Sequence, residues 1–112
     1  MPLLVGGIIL LIAGIILKLF PPTKINNFYG WRSNYAQKNK KTWNEAQKYG
    51  AKQLISGGII AIIVGSILVN IFTELSKHFY GLVFLIIVVL VIYRVEHHLR
   101  KIFDEKGNRK EK

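Results

Sequence analysis

Three apolar blocks, separated by segments that carry most of the charge, constrain the fold of this chain more than any other feature. The blocks are residues 3–20, 54–72 and 79–95. Hydrophobic residues make up 51% of the 112 residues, yet the formal net charge is +10. A soluble helical protein would combine the two kinds of residue on amphipathic helices, whereas here they are segregated. This segregation predicts an all-α integral membrane protein with three transmembrane helices.

The length of each block fits a membrane span. Residues 3–20 cover about 27 Å as a helix, and Lys18 near their end can extend its amine to the lipid headgroups. Residues 54–72 contain no charge. The third block is uncharged only from Phe79 to Tyr93, about 22 Å of helix, so we expect tilting or local thinning of the bilayer there. The first block lacks a preceding basic region and a following small-x-small cleavage site, which argues against a signal peptide.

The distribution of positive charge predicts the orientation. Seven Lys or Arg residues lie within residues 21–53, and seven more lie from Arg94 onward. The connection 73–78 has Lys77 alone, and no basic side chain precedes the first block. Because positively charged segments stay in the cytoplasm, we expect the N-terminus and the 73–78 connection outside, and both basic segments and the C-terminus in the cytoplasm.

Small residues indicate how the helices pack. Gly57, Ala61 and Gly65 recur every four residues in the second block, a stripe that lets a neighbouring backbone approach closely. The first block also carries small residues on one face, so the simplest prediction is packing of these two helices within the chain; homo-oligomerisation is the alternative. No block has an interior carboxylate, histidine or arginine, which argues against an ion pump or ion-coupled transporter.

The segment between the first two blocks predicts a further helix. Thr42 and Glu45 have the spacing of a capping box at a helix start. We expect the helix that follows to lie at the cytoplasmic membrane interface, with Trp43 and Tyr49 at headgroup depth and its lysines toward the anionic phosphates of membrane lipids.

The turn before that helix contains residues with distinct expected roles. Gly30 is expected to adopt a backbone angle that other residues avoid, and Asn26 to cap the turn through its side chain. Arg32 can pair with a lipid phosphate, a partner carboxylate or helix-end carbonyls. These residues either anchor the loop beneath the bundle or form a recognition site, and both interpretations stay open.

The loop and the C-terminal run from Tyr93 to Gly107 resemble the SdpI family of bacterial membrane proteins, which is named for a toxin immunity protein. The resemblance covers about residues 21–107, but the named immunity protein is larger and Ser33 stands where the family usually has threonine. The residues that match the family pattern are Pro22, Asn26, Tyr29, Gly30, Arg32, Ser33, Trp43, Ala46 and Gly50.

This resemblance implies a non-enzymatic protein of a prokaryotic plasma membrane, with a role in toxin immunity or in membrane sequestration of a cytoplasmic regulator. We predict a single domain over residues 1–107 and a charged, disordered tail over residues 108–112. The predicted site for a toxin peptide, a regulator or lipid consists of Asn26, Tyr29, Gly30, Arg32, Ser33, Trp43 and Ala46. Alternatives are a structural or accessory subunit, a self-assembling helical bundle, and a lipid-binding membrane protein or membrane enzyme.

The residues after the third block give little sign of catalysis or metal binding. Adjacent His97 and His98 point about 100° apart on a helix, which makes a poor chelating pair, so no metal or cofactor is predicted. Glu96 and Arg100 have the spacing of an ion pair on one helix face. The apolar stripe that begins at Val95 is expected to lie along the membrane or against the Trp43 helix. The positive charge is explained by topology, so nucleic-acid binding is not predicted.

Overall fold

The computed structural model describes residues 2–26, 28–72, 77–104 and 106–108. They form three helices, α1 (Pro2–Leu19), α2 (Lys40–Ile71) and α3 (Lys77–Ile102), and no strand occurs in this part of the chain. The all-helical architecture is thereby confirmed. Of the predicted 73–78 connection, residues 73–76 lie outside the described ranges, and of the predicted tail 108–112 only Asn108 lies within them.

Helix α2 differs from the prediction of a separate interfacial helix. Among the described residues, the segment around Trp43 is the first part of the same continuous helix that contains the second apolar block. Its N-cap is Asn39, whose side chain accepts a hydrogen bond from the Thr42 backbone amide, while the Thr42 hydroxyl accepts one from the Asn39 amide. Thr42 therefore stands at the third helical position of a capping box, not at the cap itself, and Glu45 is free for a different contact.

Helices α1 and α2 are antiparallel and approach each other through glycine. A Cβ atom at Gly7 would lie 2.9 Å from the Gly58 carbonyl oxygen, and one at Gly58 would lie 2.6 Å from the Leu11 amide nitrogen. A Cβ atom at Gly14 would lie 2.8 Å from the Ile55 amide nitrogen. Contacts of this kind need glycine because the backbone of the neighbouring helix occupies the space of a side chain.

The predicted small-residue stripe is used inside the chain. Gly57 faces Val91 of α3, Ala61 is fully buried, and Gly65 faces Leu3 of α1. The stripe thus joins α2 to both other helices, whereas the sequence indicated α1 alone. Around it, Leu3, Ala61, Tyr80 and Ile87 form the buried core of the three-helix bundle.

The outside of the bundle is apolar over the three blocks. Large hydrophobic side chains project outward from every helix, including Ile8 and Ile12 of α1, Ile63 of α2, and Leu85 and Val89 of α3. Two helices, Lys40–Ile71 and His78–Ile102, are long and apolar enough to cross a membrane, and Leu3–Leu19 is a shorter apolar helix. A continuous apolar exterior of this size on a folded chain is typical of a lipid-facing surface.

A second, smaller core lies at one end of the molecule. We call this end the cap; it comprises residues 21–53 and 94–108. Ala36, Ala46, Val95, Leu99 and Phe103 are buried together there. The apolar stripe after the third block therefore packs against the first turns of α2, which is one of the two arrangements predicted for it.

Candidate interaction surface

The turn at the start of the loop is organised by Asn26. Its side-chain oxygen accepts hydrogen bonds from the backbone amides of Phe28 (2.9 Å) and Tyr29 (2.8 Å). The Tyr29 hydroxyl donates to the carbonyl oxygen of Phe20 at 2.7 Å, one of the unpaired carbonyls that follow the end of α1. The predicted capping role of Asn26 is confirmed, and Tyr29 fastens the turn to the end of α1.

Gly30 follows this turn and has the positive φ angle expected of it, 105°. A Cβ atom there would also lie 2.6 Å from the Gln47 side-chain oxygen. Gln47 is almost fully buried and binds the next residue of the loop on both sides of its peptide: it accepts from the Trp31 amide at 2.6 Å and donates to the Trp31 carbonyl at 2.7 Å. The side-chain amide of Gln47 thus satisfies the backbone N–H and C=O groups of a loop residue that has no partner in a helix or strand. In this way Gln47 fixes the path of the loop.

Trp43 and Ala46 are both fully buried. The Trp43 indole nitrogen donates to the Pro22 carbonyl at 2.9 Å, so the ring lies beneath the loop and not at a lipid surface. Helical periodicity places a residue on a face of a helix, but it does not say whether lipid or another part of the chain covers that face. Since neither side chain is accessible, both support the predicted site from below and neither can contact a partner.

Side-chain contacts join the loop and the first turns of α2 to the last turns of α3. The Trp31 indole donates to the Glu96 carboxylate at 3.0 Å. His98 Nε2 lies 2.6 Å from the Glu45 carboxylate, and its ring stacks on Tyr49 with 3.7 Å between centroids. Sequence reasoning missed Trp31, Gln47 and the Glu45–His98 pair as organising residues. The partners are 65 and 53 positions apart, so no local pattern could have paired them.

The accessible part of the predicted site is smaller than the sequence suggested. Within the predicted site, Tyr29 is 39% exposed and Arg32 is exposed. Phe28, which the sequence did not single out, is 92% exposed. Ser33 is half-buried, and its hydroxyl accepts a hydrogen bond from the Ala36 amide. We refer to Phe28, Tyr29 and Arg32 as the rim, because they lie on the outside of a loop whose interior is held by buried residues.

The rim and cap contain neither a group of metal ligands nor an unpaired buried polar side chain within the described ranges. No three His, Asp or Glu side chains there come together in a way that could hold a metal ion. Every buried side-chain nitrogen and oxygen in this part of the chain has a hydrogen-bond partner. The buried polar groups of the cap are thus paired, and the exposed side chains that the loop presents include Phe28, Tyr29 and Arg32.

A three-helix bundle with an apolar exterior and a folded polar cap defines the chain as a small helical membrane protein. Comparison with known families agrees with this class: residues 23–95 match the model of the SdpI/YfhL protein family. The chain belongs to this family, and the matched range contains most of the loop, the whole of α2 and most of α3.

A curated relative and the solved structures add the following. The chain is 43% identical over 65 residues to the uncharacterized protein YfhL of Bacillus subtilis (strain 168). That match covers 58% of this chain and 59% of the relative, so the chain spans a little over half of the relative's length. No solved structure matches the chain significantly.

Proposed function

We propose that this protein crosses a prokaryotic plasma membrane three times, with its N-terminus outside and its cap in the cytoplasm. The molecule is 50 Å long, and a bilayer core of about 30 Å would leave the remainder for the cap. The outward-facing isoleucines of α1 support its insertion beside the two longer helices. Fourteen basic residues in the two segments that form the cap and the tail after it support a cytoplasmic placement.

Within this arrangement we propose a non-enzymatic role, in which the rim binds a partner at the cytoplasmic membrane surface. The single observation that carries the proposal is the 92% exposure of Phe28 on a loop whose backbone is hydrogen-bonded to Asn26 and Gln47. Aromatic and arginine side chains, both exposed on this loop, are the residue types enriched at protein interfaces. Family membership supports toxin immunity or sequestration of a regulator as the consequence of that binding.

Toxin survival tests this role. Cells sensitive to a membrane-active peptide toxin would express either the native chain or the double variant Phe28→Ala/Arg32→Ala. We expect the native chain to protect and the double variant to lose at least about tenfold in protection, because truncating two central interface residues typically costs more than 1 kcal/mol each. Protein levels in the membrane fraction should be equal.

Asn34→Ala provides the matched control, since Asn34 is exposed on the same loop but lies outside the rim. It should protect as well as the native chain. Full protection by the Phe28→Ala/Arg32→Ala variant would refute the rim as the working surface. Absence of protection by the native chain would refute the immunity role and leave regulator recruitment as the rim's proposed task.

The alternative of a self-assembling bundle has less support from the geometry. The stripe of Gly57, Ala61 and Gly65 packs against α3 and α1 of the same chain. A second copy would have to use another surface or displace these helices. Lipid binding, by contrast, has a specific observation in its favour.

A further inference from the structure

A groove of about 660 Å³ lies between the end of α1 and the middle of α2. Its volume is within the range of small-molecule sites, about 300–1,000 Å³. The close contact of Gly14 with the backbone at Ala51 and Ile55 closes it on the side of the bundle. Beyond this point α1 ends at Leu19, and Pro21 and Pro22 carry the chain away from α2, which opens the groove.

The wall of the groove is mostly apolar toward the bundle. Leu17, Ala51 and Ile55 contribute to it, and Ile55 lies at the start of the second apolar block. In the proposed topology this end of the groove reaches the hydrocarbon region of the cytoplasmic leaflet. An acyl chain is the kind of group that would remove such a surface from water.

The groove also carries positive charge. Lys18, Lys48 and Lys52 all line it, and none of the described lining residues is acidic. Lys48 and Lys52 are one helical turn apart, so their ammonium groups leave α2 on the same face. None of the three lysines forms an ion pair with another residue in the described ranges.

We propose that this groove binds one anionic phospholipid of the cytoplasmic leaflet, with the phosphate among Lys18, Lys48 and Lys52 and an acyl chain along Leu17 and Ile55. Charge complementarity selects this occupant: three cations over an apolar wall match a molecule with an anionic head and an apolar tail. The C-terminal residues 109–112 carry three basic side chains and one acidic one, so they do not complement the groove. This proposal rests on the proposed topology, which places the groove at headgroup depth.

Lipid titration of the full chain tests the proposal. The protein, purified in a neutral detergent, would be titrated with phosphatidylglycerol, with phosphatidylcholine and with free glycerol phosphate, and bound lipid would be counted by native mass spectrometry. We expect one tightly bound phosphatidylglycerol, accompanied by a rise in Tm. Phosphatidylcholine and glycerol phosphate should bind much more weakly, because each lacks either the net charge or the acyl chain.

Three variants distinguish binding in the groove from binding that depends only on the overall positive charge of the chain. Lys48→Gln/Lys52→Gln should weaken phosphatidylglycerol binding about tenfold or more. Its control, Lys40→Gln/Lys41→Gln, removes the same charge from exposed positions of α2 that do not line the groove, and should change binding less than about twofold. Asn44→Trp keeps all the lysines but fills the groove, and should also displace the lipid.

Equal affinity for phosphatidylglycerol in all these variants would overturn the proposal, as would equal binding of phosphatidylcholine. If glycerol phosphate, which has no acyl chain, were enough to raise the Tm, a lipid would be overturned as the occupant of the groove. Failure of the proposed topology is distinguishable, because the labelling of introduced cysteines in intact cells reports on which side of the membrane the cap lies, independently of lipid affinity in detergent. A chain with the proposed labelling pattern that shows no preference for phosphatidylglycerol would contradict the lipid site only.

Discussion

Replacement of Gly58 by leucine is expected to lower the free energy of unfolding by about 3 kcal/mol or more. The first carbon of the new side chain would lie 2.6 Å from the Leu11 amide nitrogen and 2.7 Å from the Gly7 carbonyl oxygen. Both atoms belong to the backbone of α1, so no change of rotamer can relieve the clash and the two helices must separate. Unfolding with a denaturing detergent in mixed micelles, followed by circular dichroism, measures the change.

Gly81→Leu is the matched control for this variant. Gly81 is also a helical glycine within an apolar block, but a Cβ atom there meets nothing within 4 Å. Leucine has the higher helix propensity, so the stability of this variant should stay equal or rise by up to about 1 kcal/mol. If Gly58→Leu unfolds at the same detergent fraction as Gly81→Leu, the close packing of α1 on α2 is wrong.

Replacement of Trp43 by alanine is expected to destabilise the protein by about 3–5 kcal/mol, the usual cost of removing a large buried aromatic side chain. The ring is 0% exposed, and its loss also leaves the Pro22 carbonyl without the indole donor. The loop should then detach from the cap, with rapid proteolysis between residues 21 and 39 as a second measure of the effect. Trp43→Phe should retain most of the packing and lose only the hydrogen bond, about 1 kcal/mol.

Phe28→Ala serves as the control, because it truncates an aromatic side chain of the same loop that is 92% exposed. Its unfolding should match that of the native chain within about 0.5 kcal/mol. A Trp43→Ala variant as stable as Phe28→Ala would mean that Trp43 lies at a surface, as the sequence alone suggested. The same pair of variants also shows whether loss of function at the rim can be separated from loss of stability.

The three helices were predictable because their signals are local. A bilayer-length run of apolar residues needs no knowledge of the rest of the chain, and α1 at Pro2–Leu19 agrees closely with the predicted residues 3–20. The start of α2 was harder to predict, because Asn39 and Thr42 are both good capping residues. The reciprocal hydrogen bonds between them place the helix start at Lys40.

The cap was only partly predictable for a related reason. The roles of Asn26 and Gly30 in the turn depend only on residues close to them in the sequence, and these roles were correctly predicted from residue type. The contacts of Trp31 with Glu96 and of Glu45 with His98 join segments that are far apart in the sequence. Glu96 was expected to pair with Arg100 on its own helix. In the structure its carboxylate accepts a hydrogen bond from the Trp31 indole of the loop. An exposed ion pair contributes little free energy, so a tertiary contact can replace it at little cost at a helix end.

Site-specific cysteine labelling tests the central claim, the three-span topology, most directly. The sequence contains no cysteine, so each introduced thiol is the only one. Suitable exposed positions are Asn34 in the loop, His78 at the start of α3, and Lys106 after α3. A fourth thiol would be carried by a short tag fused to the N-terminus, and all four proteins would be treated with a membrane-impermeant maleimide in intact and in lysed cells.

The proposed topology predicts labelling of the N-terminal tag and of His78→Cys in intact cells, and labelling of Asn34→Cys and Lys106→Cys only after lysis. Two results in intact cells would contradict it. The first is labelling of Asn34→Cys, and the second is failure to label either the N-terminal tag or Asn34→Cys. In the first case the cap would face outward, and in the second α1 would not cross the membrane.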